Sequence, residues 1–216
     1  MLEISRGQVG ALYVLALPFA IFIAFLTSLL FSRLSLSPLA FAIELIAGFL
    51  YQGFAFSVLR FEGEELGAHM RRSDISVLLT VAGVGAFAGL CIGVGFLLVL
   101  VPGMLVMTIW SVIVPVILVE GKGFAALERS RELIQGNGWS VFPVVFGVFL
   151  LGAGLDLGLN GVADIVGPSL WTRGISTAIA WLAVLPIGVV AAAAIYWLLQ
   201  DANLKGELAP ADLSLS

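Results

Sequence analysis

Apolar residues run along this chain in long unbroken blocks, not in alternation with polar ones. Six blocks stand out, at residues 9–31, 38–59, 76–100, 104–119, 141–158 and 176–199. Each approaches or meets the roughly 17–25 residues that a helix needs to cross the ~30 Å hydrocarbon layer. Of all the charged residues, only Glu44 and Asp156 fall inside them. A β-barrel would need segments of about ten residues alternating apolar and polar, and no segment alternates. Apolar blocks that tolerate internal Gly and Pro predict transmembrane helices, which satisfy their own backbone groups. The expectation is an all-α polytopic bundle of six spans, forming one membrane domain over residues 1–216.

The boundaries differ in sharpness. Residues 76–119 form one uncharged run, too long for a single span, and Pro102-Gly103 is its best turn signal. A tight hairpin is expected there, leaving a short fourth span. The first block exceeds the roughly 7–15 residue core of a signal peptide, and no A-x-A-like site follows it, so it is expected to be retained. Pro18, Pro115 and Pro186 each remove a backbone bond and predict kinks in the first, fourth and sixth spans.

Between the fourth and fifth blocks the apolar pattern takes on a helical period. On a wheel of roughly 100° per residue, Ala126, Leu127, Ser130, Leu133 and Ile134 share one sector. Glu128, Arg129, Glu132 and Gln135 take the opposite side. Gly136 is suited to terminate the helix in the left-handed conformation. An amphipathic helix at the membrane interface is predicted over about residues 122–136, with Trp139 anchoring the re-entry into the bilayer. Ser130 on its buried face is expected to hydrogen-bond toward Glu120, with Arg129 and Arg131 as other partners for that carboxylate.

Composition agrees with the pattern. The chain is 61% hydrophobic and 11% charged, against about 45–50% and about 25% in soluble domains. Its mean hydropathy is +1.13. These values exclude a disordered chain and an ordinary soluble enzyme, and a net charge of -4 offers no basic surface to nucleic acid. With Cys91 alone no intrachain disulfide can form, and with His69 alone no His-rich metal site can. Glu65 and His69 share a helical spacing, but two ligands are too few for a metal. No catalytic residue, metal or cofactor is expected.

Basic residues orient the bundle. With six spans, one side carries Arg6, Arg60, Arg71, Arg72, Lys122, Arg129, Arg131 and Lys205, and the other only Arg33 and Arg173. The positive-inside rule then puts both termini in the cytoplasm.

Glu44 is the one acid well inside a span, where an ionised group costs about 2.5–3.5 kcal/mol at the bilayer centre. Glu44, Gly48 and Gln52 form one stripe that is expected to face the bundle interior. It serves either as a polar path or ion site, or as a structural partner for another helix. Gly85, Gly89 and Gly93 recur every four residues, and Gly154 and Gly158 repeat the spacing. They predict close helix packing within the bundle or in a homodimer. Asp156, Asn160, Asp164 and Arg173 are expected to form a polar cap on the outer face.

One series of residues resembles a known family. Pro115, Glu120, Ala126-Leu127, Arg129-Ser130, Leu133, Gly136 and Trp139 give a Pro, a Glu and then A-L-x-R-S-x-x-L-x-x-G-x-x-W. This resembles the membrane domain of bacterial glycerophosphoryl diester phosphodiesterases and of related stand-alone six-helix membrane proteins of unknown function. The resemblance does not imply the phosphodiesterase activity, which in those enzymes belongs to a separate soluble barrel of ~250 residues. It implies a non-enzymatic protein of the bacterial inner membrane, possessing a role in lipid or envelope homeostasis. The partners expected are membrane lipids, a second copy or another membrane protein, and no nucleic acid. The alternatives are a small transporter or channel with a polar site at Glu44 and, with least support, an intramembrane lipid enzyme. A polar cavity reaching Glu44 would favour the transporter.

Overall fold

A computed structural model of the chain describes residues 6–34, 37–56, 75–98, 100–167 and 169–204. The segment bearing Glu65 and His69 lies outside the described residues. The described chain is all-helical, with no strand. Its helices are α1 (Arg6–Leu34), α2 (Ser37–Phe56), α3 (Ile75–Leu98), α4 (Leu100–Ile109), α5 (Ile113–Glu120), α6 (Ala125–Ile134), α7 (Gly138–Val166) and α8 (Leu170–Leu204). Four stretches are long and apolar enough to cross a membrane: Leu79–Phe96, Val101–Glu120, Gly138–Val166 and Leu170–Asn203. Shorter apolar stretches, Gly10–Leu26 and Ile43–Phe56, lie within α1 and α2. Large apolar side chains also cover the outside: Leu157 is 75% and Ile165 86% exposed. Contiguous apolar surface of this kind suits a lipid environment and not water.

Helix α1 packs along α8, α7 along the same helix, and α2 against α1 and α3. On α1 the residues Leu12, Ala16, Ala20 and Ala24 recur every four positions and are all buried. Short side chains at that spacing let helices approach closely. Tyr51 of α2 is fully buried, and its hydroxyl donates to the Leu12 carbonyl at 3.0 Å. A buried phenol thus has its partner, and α2 is tied to α1.

Three expectations need correction. Pro102-Gly103 is not the turn between the third and fourth blocks; both residues lie near the start of α4. Proline is tolerated in a first helical turn, where its missing N–H has no partner to lose. Gly103 serves packing instead: a Cβ on Gly95 would lie 2.9 Å from the Gly103 Cα, so α3 and α4 meet backbone to backbone.

The fourth block is not one helix over 104–119. It is broken at residues 110–112, where Ser111 N–H donates to the Thr108 carbonyl and Ile113 N–H to the Trp110 carbonyl, both at 3.2 Å. Pro115 explains the place, since it offers no N–H to the Ser111 carbonyl and its ring crowds that group. Pro18, Pro143 and Pro186 by contrast lie inside continuous helices.

The glycine stripes are only partly packing surfaces. A Cβ on Gly85 would lie 2.7 Å from the Phe49 Cβ, and one on Gly89 3.3 Å from the Leu45 Cβ, so α2 rests on both. Gly93, Gly154 and Gly158 meet nothing within 4 Å. A four-residue repeat drifts about 40° per step around a helix, and by Gly93 the stripe has turned away.

Candidate functional site

Helices α2 and α7 scarcely touch, while α8 packs against both. The space between them is a cleft of about 490 Å³, completed by Met107, Trp110 and Ser111 from α4 and the break. This size lies within the roughly 300–1,000 Å³ of small-molecule sites. Along α8 the wall extends from Ala180 to Ile195, about 22 Å at 1.5 Å per residue. The cleft is a long slot lying parallel to the helices.

Its wall is mostly apolar and aromatic, with four conspicuous polar side chains: Glu44, Gln52, Ser111 and Asp156. Their order follows from helix direction. A Cβ on Gly48 would touch Trp181, and one on Gly188 would touch the Gln52 amide, so α2 and α8 run parallel. Asp156 of α7 is joined to the early part of α8, accepting from Thr177 Oγ1 at 3.3 Å. Asn160 Nδ2 also donates to it at 2.9 Å. Glu44 and Asp156 therefore share one end of the slot, and Gln52 lies further along, level with Gly188. Gln52 Oε1 and Ser111 Oγ are buried without a hydrogen-bond partner among the described residues.

The sequence-derived stripe of Glu44, Gly48 and Gln52 thus lines a cavity. Asp156 was assigned elsewhere by the sequence, to an outer cap with Asp164 and Arg173. The structure separates them: Arg173 pairs with Asp164 at 2.9 Å in an exposed bridge, while Asp156 faces the cleft. Ser111, Trp110 and Trp181 were missed.

A second polar assembly surrounds α6. Gly121, with φ 66°, ends α5 in the left-handed conformation just after Glu120. The Glu120 carboxylate lies 3.2 Å from both Lys122 Nζ and Arg129 Nε. Tyr196 of α8 donates to the same carboxylate at 3.4 Å. Arg129 also reaches Glu132 at 3.2 Å. Partial burial opposes the guanidinium charge, but the Glu132 hydrogen bond and the Glu120 charge outweigh it, holding Arg129 above its ordinary pKa.

Ser130 does not bond Glu120. Its hydroxyl donates to the Ile109 carbonyl at 2.7 Å. In a continuous helix that carbonyl would accept from the Ile113 N–H, which the break diverts to Trp110. The break releases an acceptor and Ser130, 0% exposed, takes it up. Ala126, Leu133 and Ile134 are buried on the same side of α6, while Glu128, Arg131 and Glu132 are exposed. Gly136 has φ 91°, the left-handed conformation expected of it. Trp139 projects outward, 88% exposed, at the start of α7.

Among the described residues no group of three or more His, Cys, Asp or Glu could hold a metal ion. Compared with models of known protein families, with curated proteins and with solved structures, the chain matches none.

Proposed function

We propose that the chain is a non-enzymatic integral membrane protein of a bacterial cytoplasmic membrane that holds a lipid-like molecule in the cleft between α2 and α7. The cleft carries this reading. Its long apolar slot suits an acyl or similarly extended chain, and its polar end suits a headgroup. The six-span topology with cytoplasmic termini draws on the uninterrupted helices α1 and α2, of 29 and 20 residues, and on the eight-to-two division of basic residues. A role in lipid or envelope homeostasis draws on the resemblance over residues 115–139.

Native mass spectrometry of the detergent-purified protein tests the reading, with Ala153→Phe as a variant that fills the slot. The expected result is a lipid adduct on the wild type, lost in Ala153→Phe at an unchanged melting temperature. Equal adducts on both proteins would sink it.

A small transporter or channel is the second reading, supported by Glu44 in the cleft and by the broken helix beside it. Interrupted helices at mid-membrane recur in transporter sites. Ion flux into proteoliposomes that is abolished by Glu44→Gln would raise it above the first. An intramembrane lipid enzyme has less support, since no His, Cys or Lys lines the cleft among the described residues.

A further inference from the structure

We infer that the occupant of the cleft carries an uncharged hydroxyl part-way along its apolar chain, held between Gln52 and Ser111. This rests on the reading of the cleft as a lipid site and adds the class of the occupant, a chain-hydroxylated lipid.

Position along the slot is the first argument. Gln52 follows Glu44 by two helical turns, about 12 Å at ~1.5 Å per residue, and it is level with Gly188 of α8. Ser111 reaches the same level. Helix α5 packs against both α2 and α8. It starts beside the slot and ends at Glu120, which meets Tyr196 just past the last α8 residue of the wall, Ile195. It therefore runs in the direction of α8. Counting equal steps back from Glu120 to Ser111 and from Tyr196 along α8 arrives at Ile187, the neighbour of Gly188. Gln52 and Ser111 thus flank one stretch of the slot, two turns away from the end that holds Glu44 and Asp156.

The chemistry of that stretch is the second argument. Gln52 Oε1 and Ser111 Oγ are both buried without a hydrogen-bond partner among the described residues. Either can turn toward an occupant, because the terminal torsion of glutamine is broad and a serine hydroxyl swings about a single bond. One hydroxyl serves both, donating to Gln52 Oε1 and accepting from Ser111 Oγ. A carboxylate has no proton for Gln52, and an ammonium accepts nothing from Ser111. A plain methylene chain would leave both oxygens stranded. The neighbouring wall, with Val148, Leu185 and Ala192, is apolar, so the hydroxyl has to arrive on an apolar chain.

The test uses methyl ricinoleate and methyl oleate, which share head and chain length and differ by one mid-chain hydroxyl. An isomer bearing the hydroxyl beside the ester is the positional control. Each is titrated, radiolabelled, into the purified full-length protein in detergent, with micelle partition measured without protein and subtracted. Saturable ricinoleate binding is expected, with the oleate and the isomer at least about tenfold weaker. Gln52→Met and Ser111→Ala should keep the oleate affinity and bring ricinoleate to within about twofold of it. Their melting temperatures should equal or exceed that of the wild type, since in the empty cleft neither oxygen has a partner to lose. Equal wild-type affinity for the three esters, no saturable binding of any, or an undiminished ricinoleate preference in both variants would overturn the proposal. The wild-type comparison needs no variant to fold. The lipid-adduct measurement on Ala153→Phe decides the lipid-site reading separately: adducts lost there, with the three esters bound equally, would leave the site standing without its hydroxyl.

Discussion

Ser130 and Ile109 are 21 residues apart in sequence and joined by a 2.7 Å hydrogen bond from the hydroxyl to the carbonyl. The bond closes the carbonyl that the interruption between α4 and α5 leaves open at Ile109. It also seats the surface helix α6 on that interruption.

Ser130→Ala should therefore do more than remove a small polar group. It strands a buried carbonyl, which costs about 1–3 kcal/mol. Thermal unfolding in detergent should report the loss, and hydrogen exchange should rise across residues 109–113 and 125–134. Protection equal to wild type in both segments would contradict the assignment.

Glu120→Ala removes the common partner of Lys122, Arg129 and Tyr196. Partly exposed ion pairs contribute about 0.2–1 kcal/mol each, so a loss of about 1 kcal/mol is expected. The effect should be concentrated in α6, as faster proteolysis across residues 124–135 with topology unchanged. Glu120→Gln should be milder, because the amide still accepts from Tyr196 and Arg129. An equal loss in both variants would mean that the charge contributes everything.

Gly85 and Gly93 offer a matched pair. Gly85→Ala would push a methyl group into the Phe49 Cβ and should cost about 1–3 kcal/mol through overpacking. Gly93→Ala enters open space and should leave the melting temperature unchanged or slightly raised, since Ala is the better helix former. Gly89→Leu should destabilise as Gly85→Ala does, since Leu45 sits directly opposite. A drop in melting temperature for Gly93→Ala as large as that for Gly85→Ala would show that contacts with a second copy, and not the α2–α3 contact, control this face.

Reporter fusions after residue 67 and after residue 128 should both register the cytoplasm, as both neighbourhoods carry the concentrated basic charge. A periplasmic signal at either would change the number of crossings.

The long apolar blocks were legible in sequence because the bilayer imposes a length and excludes charge, and both are countable. The interruption at residues 110–112 was not. Pro115 marked a disturbance, but a break is tolerable only where something receives the released carbonyl, and Ser130 lies on another helix. Pro102-Gly103 misled for a related reason, since the same dipeptide serves a turn or a helix start with close packing. Asp156 was placed on the outer rim because its block appeared to end at residue 158. In fact α7 continues to Val166, about 15 Å beyond Asp156, which sets that acid inside the helix, at the end of the slot. The Gly stripes drew attention by their spacing, whereas the buried small-residue stripe on α1 is built from Ala16, Ala20 and Ala24.

The break between α4 and α5 has a mechanical consequence. Trp110 and Ser111 belong both to its turn and to the wall of the cleft, while the preceding residue, Ile109, is gripped by α6 through Ser130. A single peptide unit thus acts as a pivot between a helix outside the predicted spans and the interior slot. A displacement of α6 would therefore be transmitted first to the peptide that carries Trp110, in the wall of the slot.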